Sequence, residues 1–172
     1  MPRKYFRKYL PDPDTVLAKP WAAPFRRWVG HPNLWCLNRR SVSGAVAIGL
    51  FCGLIPGPFQ MLGALLMAIP LRKNIPVALV VTLYTNPFTI VPLYVLAFEY
   101  GRLLLPSERG ALMPPFEMTW SWMVSLGKPL AVGLPALAGT LALLGYVTVR
   151  LAWRGWVVAS WRARARRRRQ AA

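Results

Sequence analysis

The stretch from Ser41 to Phe98 decides what this chain can fold into. It is apolar throughout, and Arg72 and Lys73 are its only charged residues. Each half is interrupted near its middle, by Ile55-Pro56-Gly57-Pro58-Phe59-Gln60 in the first and by Thr85-Asn86-Pro87-Phe88-Thr89 in the second. Apolar length of this kind belongs in a bilayer. Proline and glycine at mid-depth free backbone groups that lipid cannot satisfy, so such breaks persist only where protein or a water-filled cavity covers them. Paired interrupted segments are the usual pointer to a binding or transport site.

Span lengths follow from this pattern. Ser41–Leu71 holds 31 uncharged residues, about 46 Å as one helix at 1.5 Å per residue. That is long for one span and tight for two, so a helical hairpin turning at Pro56-Gly57-Pro58 is expected, either fully crossing or re-entrant. Its first arm carries Ser43, Gly44, Ala45, Ala47 and Gly49, which permit close helix contact. Asn74–Phe98, 25 uncharged residues, suffices for one tilted span broken at Pro87. Asn86, Thr82, Thr85 and Thr89 are placed to repair the lost backbone bonds. Pro129–Val149 is a clean apolar run of 21 residues and reads as a simple span. The expected fold is an all-α membrane protein, a small multi-pass bundle with broken or re-entrant hairpins.

The ends are basic. The chain carries 22 Lys+Arg against 5 Asp+Glu, a net charge of +17 over 172 residues. Because the basic residues flank apolar spans, they point to anionic lipid and topology rather than to a specific nucleic-acid partner. Residues 1–40 read as a basic arm followed by an interfacial amphipathic helix, with Trp21, Phe25, Trp28 and Val29 on one face. Residues 41–150 read as the membrane domain. Residues 151–172 read as a basic interfacial helix with a solvated Arg-rich tail, six Arg lying between 162 and 169. Nine Lys/Arg precede Ser41, eight follow Val149 and three lie in the 99–128 loop. The positive-inside bias then puts both termini in the cytoplasm and makes the number of crossings even.

Little in the sequence suggests catalysis. Cys36 and Cys52 are too isolated for a disulfide framework or a zinc site, and the single histidine, His31, sits in a turn-like His-Pro-Asn segment. No intramembrane acids pair with one another. Glu99 and Arg102 are spaced for an ion pair on one helix face. No enzyme activity and no cofactor are expected.

The two breaks also superpose on a 29-residue shift, Gly57-Pro58-Phe59-Gln60 on Asn86-Pro87-Phe88-Thr89, which raises an internal repeat without establishing one. A helix that restarts inside a membrane presents free N–H groups and a positive dipole end, an anion site. The candidate ligand-binding residues are therefore Pro58, Phe59, Gln60, Thr85, Asn86, Pro87 and Thr89 at the breaks, with Arg39, Arg40, Arg72 and Lys73 as a cytoplasmic rim that recruits phosphate.

His31-Pro32-Asn33-Leu34-Trp35, Asn38-Arg39-Arg40-Ser41-Val42, Ala47-Ile48-Gly49-Leu50-Phe51, Pro56-Gly57-Pro58-Phe59-Gln60-Met61, Arg72-Lys73-Asn74-Ile75-Pro76 and Thr85-Asn86-Pro87-Phe88-Thr89 resemble the bacterial integral-membrane family catalogued as domain of unknown function 2062. The resemblance covers roughly residues 15–150 and implies a small multi-pass protein of the Gram-negative inner membrane. Some relatives are joined to a glycosyltransferase domain, which implies cell-envelope chemistry and an envelope-biogenesis partner. It transfers no catalytic residue.

Two functions stay open on the sequence. One is a small protein that binds or translocates an anionic, phosphate-bearing lipid through its broken helices, with homo-oligomerisation enclosing the path. The other is a non-catalytic membrane scaffold that recruits partners or anionic lipid through its basic ends.

Overall fold

The computed structural model describes residues 31–57, 59–108, 110, 114–115, 117 and 119–170. The basic arm, the face formed by Trp21, Phe25 and Trp28, and Pro58 lie outside the described residues. Among those described, every regular element is helical: α1 (Arg39–Cys52), α2 (Phe59–Ala68), α3 (Ile75–Thr82), α4 (Ile90–Leu104), α5 (Trp120–Ser125) and α6 (Gly127–Gln170), with 3-10 turns at Pro32–Leu34 and Pro106–Glu108.

Two asparagines start the paired helices α1 and α3. The Asn38 side chain accepts from the Ser41 N–H at 2.7 Å, and the Asn74 side chain accepts from the Val77 N–H at 2.9 Å. Each satisfies one of the donors a helix start leaves over. Pro76 sits in the first turn of α3, where its missing N–H costs nothing. Both helices end at the interruptions seen in the sequence: α1 before Gly53 and the Pro56-Gly57 turn, α3 before Thr85-Asn86-Pro87. Residues 83–89 separate α3 from α4 at the second interruption, so the segment forms two helices joined by a break.

Small residues set the helix order. α1 and α3 run parallel and side by side. Gly49 faces the Ala78 carbonyl and Val81, and Gly53 faces the Tyr84 ring. α2 doubles back from the Pro56-Gly57 turn and packs Ala64 and Ala68 against this pair, in a core with Ala45, Ile48, Cys52 and Ala78. α4 continues past the second break in the same sense as α1 and α3, beyond the end of α1. α6 lies antiparallel to both. Gly101 and Gly133 bring the backbones of α4 and α6 into direct contact at Pro129 and Ala97, while Gly145 receives Leu50 and Val46 of α1. Small residues at these contacts let the helix backbones approach closely.

α6 therefore serves as a ruler along the bundle. Gly101 of α4 is level with Pro129, and Val46 of α1 is level with Gly145. Leu54, Tyr94, Leu137 and Ala138 share one buried cluster about halfway between. The two breaks thus lie near the middle of the apolar run of α6. The helix itself does not stop at Arg150. It continues to Gln170, 44 residues in all or about 66 Å. Arg and Ala are good helix formers, so the change in composition at Arg150 does not end the helix.

Candidate functional site

The first residues of α1 and the turn between α2 and α3 build one cavity. Its volume is about 610 Å³, and Asn33, Asn38, Arg39, Arg40, Ser41, Leu71, Arg72 and Lys73 line it. The parallel packing of α1 and α3 explains why charges from two distant parts of the sequence meet there. Lys73 precedes α3 as Arg39 and Arg40 open α1. Gly44 leaves room for the Lys73 stem to lie on α1, since a Cβ there would come 2.6 Å from the Lys73 Cδ. The Lys73 ammonium donates to the Arg40 carbonyl at 3.4 Å.

The wall is well braced. The Ser41 hydroxyl donates to the Asn33 carbonyl at 2.8 Å, and the buried Asn74 amide donates to the Cys36 carbonyl at 3.3 Å. With the Asn38 side chain engaged at Ser41, the N–H groups of Arg39 and Arg40 have no partner among the described residues. Four cations and a helix start thus face the same space. The one ion pair among the described residues is Glu99–Arg102 at 2.9 Å, at the far end of α4. None of the four cavity cations has a carboxylate partner there.

Arg72 reaches this cavity from an unusual backbone position. Its φ is +51°, the only positive φ among the described residues that are not glycine. The chain around it is a Schellman turn. The Arg72 N–H donates to the Ile69 carbonyl at 3.0 Å and the Lys73 N–H to the Ala68 carbonyl at 2.9 Å. Arg72 occupies the left-handed position that glycine fills in most such turns.

The interruptions form a second polar centre, at the opposite end of α1 and about 21 Å away by the length of that helix. The second break reaches back to close the open end of α1. The Tyr84 hydroxyl donates to the Leu50 carbonyl at 2.9 Å, the Thr85 hydroxyl lies 2.6 Å from the Gly53 carbonyl, and the Tyr94 hydroxyl donates to the Leu54 carbonyl at 3.1 Å. Gln60, at the start of α2, meets Thr85 at 2.7 Å. The start of α4 is served in the same way. The Asn86 side chain accepts from the Phe88 and Thr89 N–H groups at 2.9 and 3.0 Å. The Thr89 hydroxyl donates to the Tyr84 carbonyl at 2.7 Å and takes the Asn86 N–H at 2.9 Å.

The residues singled out from the sequence therefore divide into two groups. Arg39, Arg40, Arg72 and Lys73 come together in the cavity. Gln60 and Thr85 come together at the breaks, as do Asn86 and Thr89, with their polar atoms turned on neighbouring backbone. Phe59 and Phe88 are 64% and 90% exposed, and Pro87 lies in an exposed turn. Pro58 lies outside the described residues. Asn33, Asn38, Ser41 and Leu71 of the cavity wall were not foreseen. For Asn38 a signal existed, since an asparagine directly before a helical run is a capping residue. The ion pair of Glu99 with Arg102 forms as their spacing suggested.

No curated protein and no solved structure matches this chain. Residues 22–162 match the model of a family described as an uncharacterized protein conserved in bacteria, domain of unknown function 2062, and the chain belongs to that family.

Proposed function

We propose that this protein is a multi-pass bundle of the bacterial inner membrane that holds a phosphate-bearing lipid headgroup in the Arg39–Arg40–Arg72–Lys73 cavity. One observation carries the reading: four cations with no carboxylate partner among the described residues line a single cavity of about 610 Å³. Charge-assisted hydrogen bonds from Arg and Lys to phosphate are among the strongest a protein makes, and the start of α1 adds a favourable dipole.

The membrane placement rests on surface chemistry. α6 is long and apolar enough over Gly127–Arg162 to cross a bilayer, the one such helix among the described residues. Large apolar side chains also cover the outside of the other helices, including Leu62, Leu66, Val80, Leu96 and Leu103. Contiguous exposed apolar surface of this kind is rare on a soluble monomer. In this reading α1–α2 is a re-entrant hairpin to mid-depth, α3–α4 is a broken crossing, and α6 returns. The cavity then lies at the headgroup level beside Arg150. Both termini are cytoplasmic by the Lys/Arg bias. The mutual bonding at the breaks favours holding a headgroup at the rim over passing it along the broken helices.

A scaffold reading is favoured by a different observation. α6 carries its Arg run past the bundle as continuous helix, a shape suited to docking. Native mass spectrometry from mild detergent separates the two. The expected result is that the wild type retains phosphate-bearing lipid and that a variant with Arg39, Arg40, Arg72 and Lys73 all changed to Gln loses it. Equal retention by both, together with loss on deleting residues 162–169, would transfer the function to the tail.

A further inference from the structure

The cavity holds more positive charge than a common membrane phospholipid can answer. A phosphodiester headgroup such as phosphatidylglycerol carries one negative charge. A phosphomonoester carries about −1.5 to −2 at pH 7, and a diphosphate carries more. Arg39 and Arg40 are adjacent on α1, Arg72 and Lys73 adjacent in the turn, and Lys73 is bonded to the Arg40 carbonyl. Four like charges around one cavity repel one another, and an anion placed among them offsets that repulsion.

Arg72 adds an independent observation. Its left-handed backbone costs stability that a glycine would not, because a Cβ is disfavoured at φ +51°. The turn itself is satisfied by main-chain bonds alone and asks nothing of the side chain at this position. Strained backbone at a cavity wall is where functional side chains are held against local preference. What the side chain supplies is a guanidinium on the wall of the cavity that Arg39 and Arg40 also line, with fork geometry that matches two phosphate oxygens.

Building on the headgroup reading above, we propose that this cavity selects a doubly charged phosphate, a phosphomonoester or diphosphate, over a singly charged phosphodiester, and that Arg72 sets the preference. The ligand is held where two segments meet, with Arg39 and Arg40 from the start of α1 and Arg72 and Lys73 from the turn before α3. Its charge matters more than its lipid chains, so the same chemistry is offered to a lipid headgroup and to a soluble phosphate.

The test presents purified full-length protein with phosphatidic acid and phosphatidylglycerol at equal concentration and reads occupancy by native mass spectrometry. The expected wild-type result is a preference of roughly tenfold for phosphatidic acid, the effect of one additional charge-assisted contact. Arg72→Gly should melt at the same or a higher temperature, because it relieves the turn, yet lose the preference. Inorganic pyrophosphate should displace phosphatidic acid from wild type and be much weaker on Arg72→Gly. If it binds lipid-free protein as tightly as phosphatidic acid does, the ligand's source is soluble. If the lipid is several times tighter, the source is the membrane. Both results support the charge preference. Equal retention of the two lipids by wild type, or an Arg72→Gly variant that keeps the preference, overturns it while leaving the headgroup site standing. Wild type that retains no more of either lipid than the four-Gln variant overturns the headgroup site itself.

Discussion

Gln60 and Thr85 stand 25 residues apart in sequence and 2.7 Å apart in space, and their contact locks one interrupted segment to the other. The Thr85 oxygen also lies 2.6 Å from the Gly53 carbonyl and 3.1 Å from that of Thr82. A hydroxyl has one proton, so it serves one of these acceptors at a time. The arrangement closes when Thr85 donates to Gly53 and the Gln60 amide is turned to donate to Thr85, an orientation that the hydrogen-bond network dictates.

Thr85→Val should therefore cost about 1–3 kcal/mol, because it strips a half-buried carbonyl at the end of α1 of its donor. Gln60→Leu should cost less. The two changes should be strongly non-additive, since either one already breaks the shared network. Thermal unfolding of both single variants and the double variant in detergent checks this. Strict additivity would mean that the two side chains do not act on each other.

The interruptions were legible because Pro and Gly announce themselves in an apolar run. Pro56-Gly57 and Asn86-Pro87 fall between helices, where the sequence marks the interruptions. What was not legible is where the chain goes next. α2 folds back on α1, while α4 runs on past the end of α1 and pairs with α6, although the two breaks resemble each other over several residues. That choice is made by long-range contacts, Ala97 and Gly101 against Gly133 and Pro129, which no local pattern reveals. The gathering of Arg39 and Arg40 with Arg72 and Lys73 was visible as a shared basic rim. Its walls were not, because Asn33, Ser41 and Leu71 are unremarkable residues until α1 and α3 lie side by side. The sequence reads as a separate basic helix and an Arg-rich tail after residue 150, yet both belong to α6, because Arg and Ala sustain a helix as well as apolar residues do.

Ser43 offers a change in the opposite direction. It is fully buried in α1, and its hydroxyl oxygen has no hydrogen-bond partner. A buried polar atom without a partner costs stability, and alanine has the highest helix propensity. Ser43→Ala should raise the unfolding temperature, by the equivalent of about 1 kcal/mol. A fall in that temperature would show that the hydroxyl is bonded in the native protein after all.

Two glycines six residues apart on α6 should respond with opposite signs. A Cβ at Gly133 would run into the Ala97 carbonyl and the Gly101 nitrogen, backbone atoms that cannot step aside, whereas a Cβ at Gly139 meets nothing within 4 Å. Gly133→Ala should force α4 and α6 apart and destabilise by more than about 2 kcal/mol, an overpacking cost in a tight contact. Gly139→Ala should stabilise by about 0.5–1 kcal/mol through helix propensity alone. Unfolding temperatures of the two variants, measured side by side, test the α4–α6 contact directly. Similar effects at both positions would rule it out.

The two native cysteines allow the membrane path itself to be tested. Cys36 is exposed beside the cavity end of α1, and Cys52 is buried where α1 meets the break. A membrane-impermeant maleimide should therefore label Cys36 and spare Cys52. With the cavity facing the cytoplasm, labelling should occur in inverted vesicles and not in intact spheroplasts. Gly110, exposed between α4 and α5 with open space around it, marks the other end of the bundle. In a Cys36→Ser background, Gly110→Cys should show the reverse pattern, reacting in spheroplasts and not in inverted vesicles. Opposite sidedness is required if α3–α4 crosses the bilayer as a broken span and α6 returns. Labelling of both positions from one side would mean that neither segment crosses, and the apolar outer surface would then need a protein partner rather than lipid to cover it.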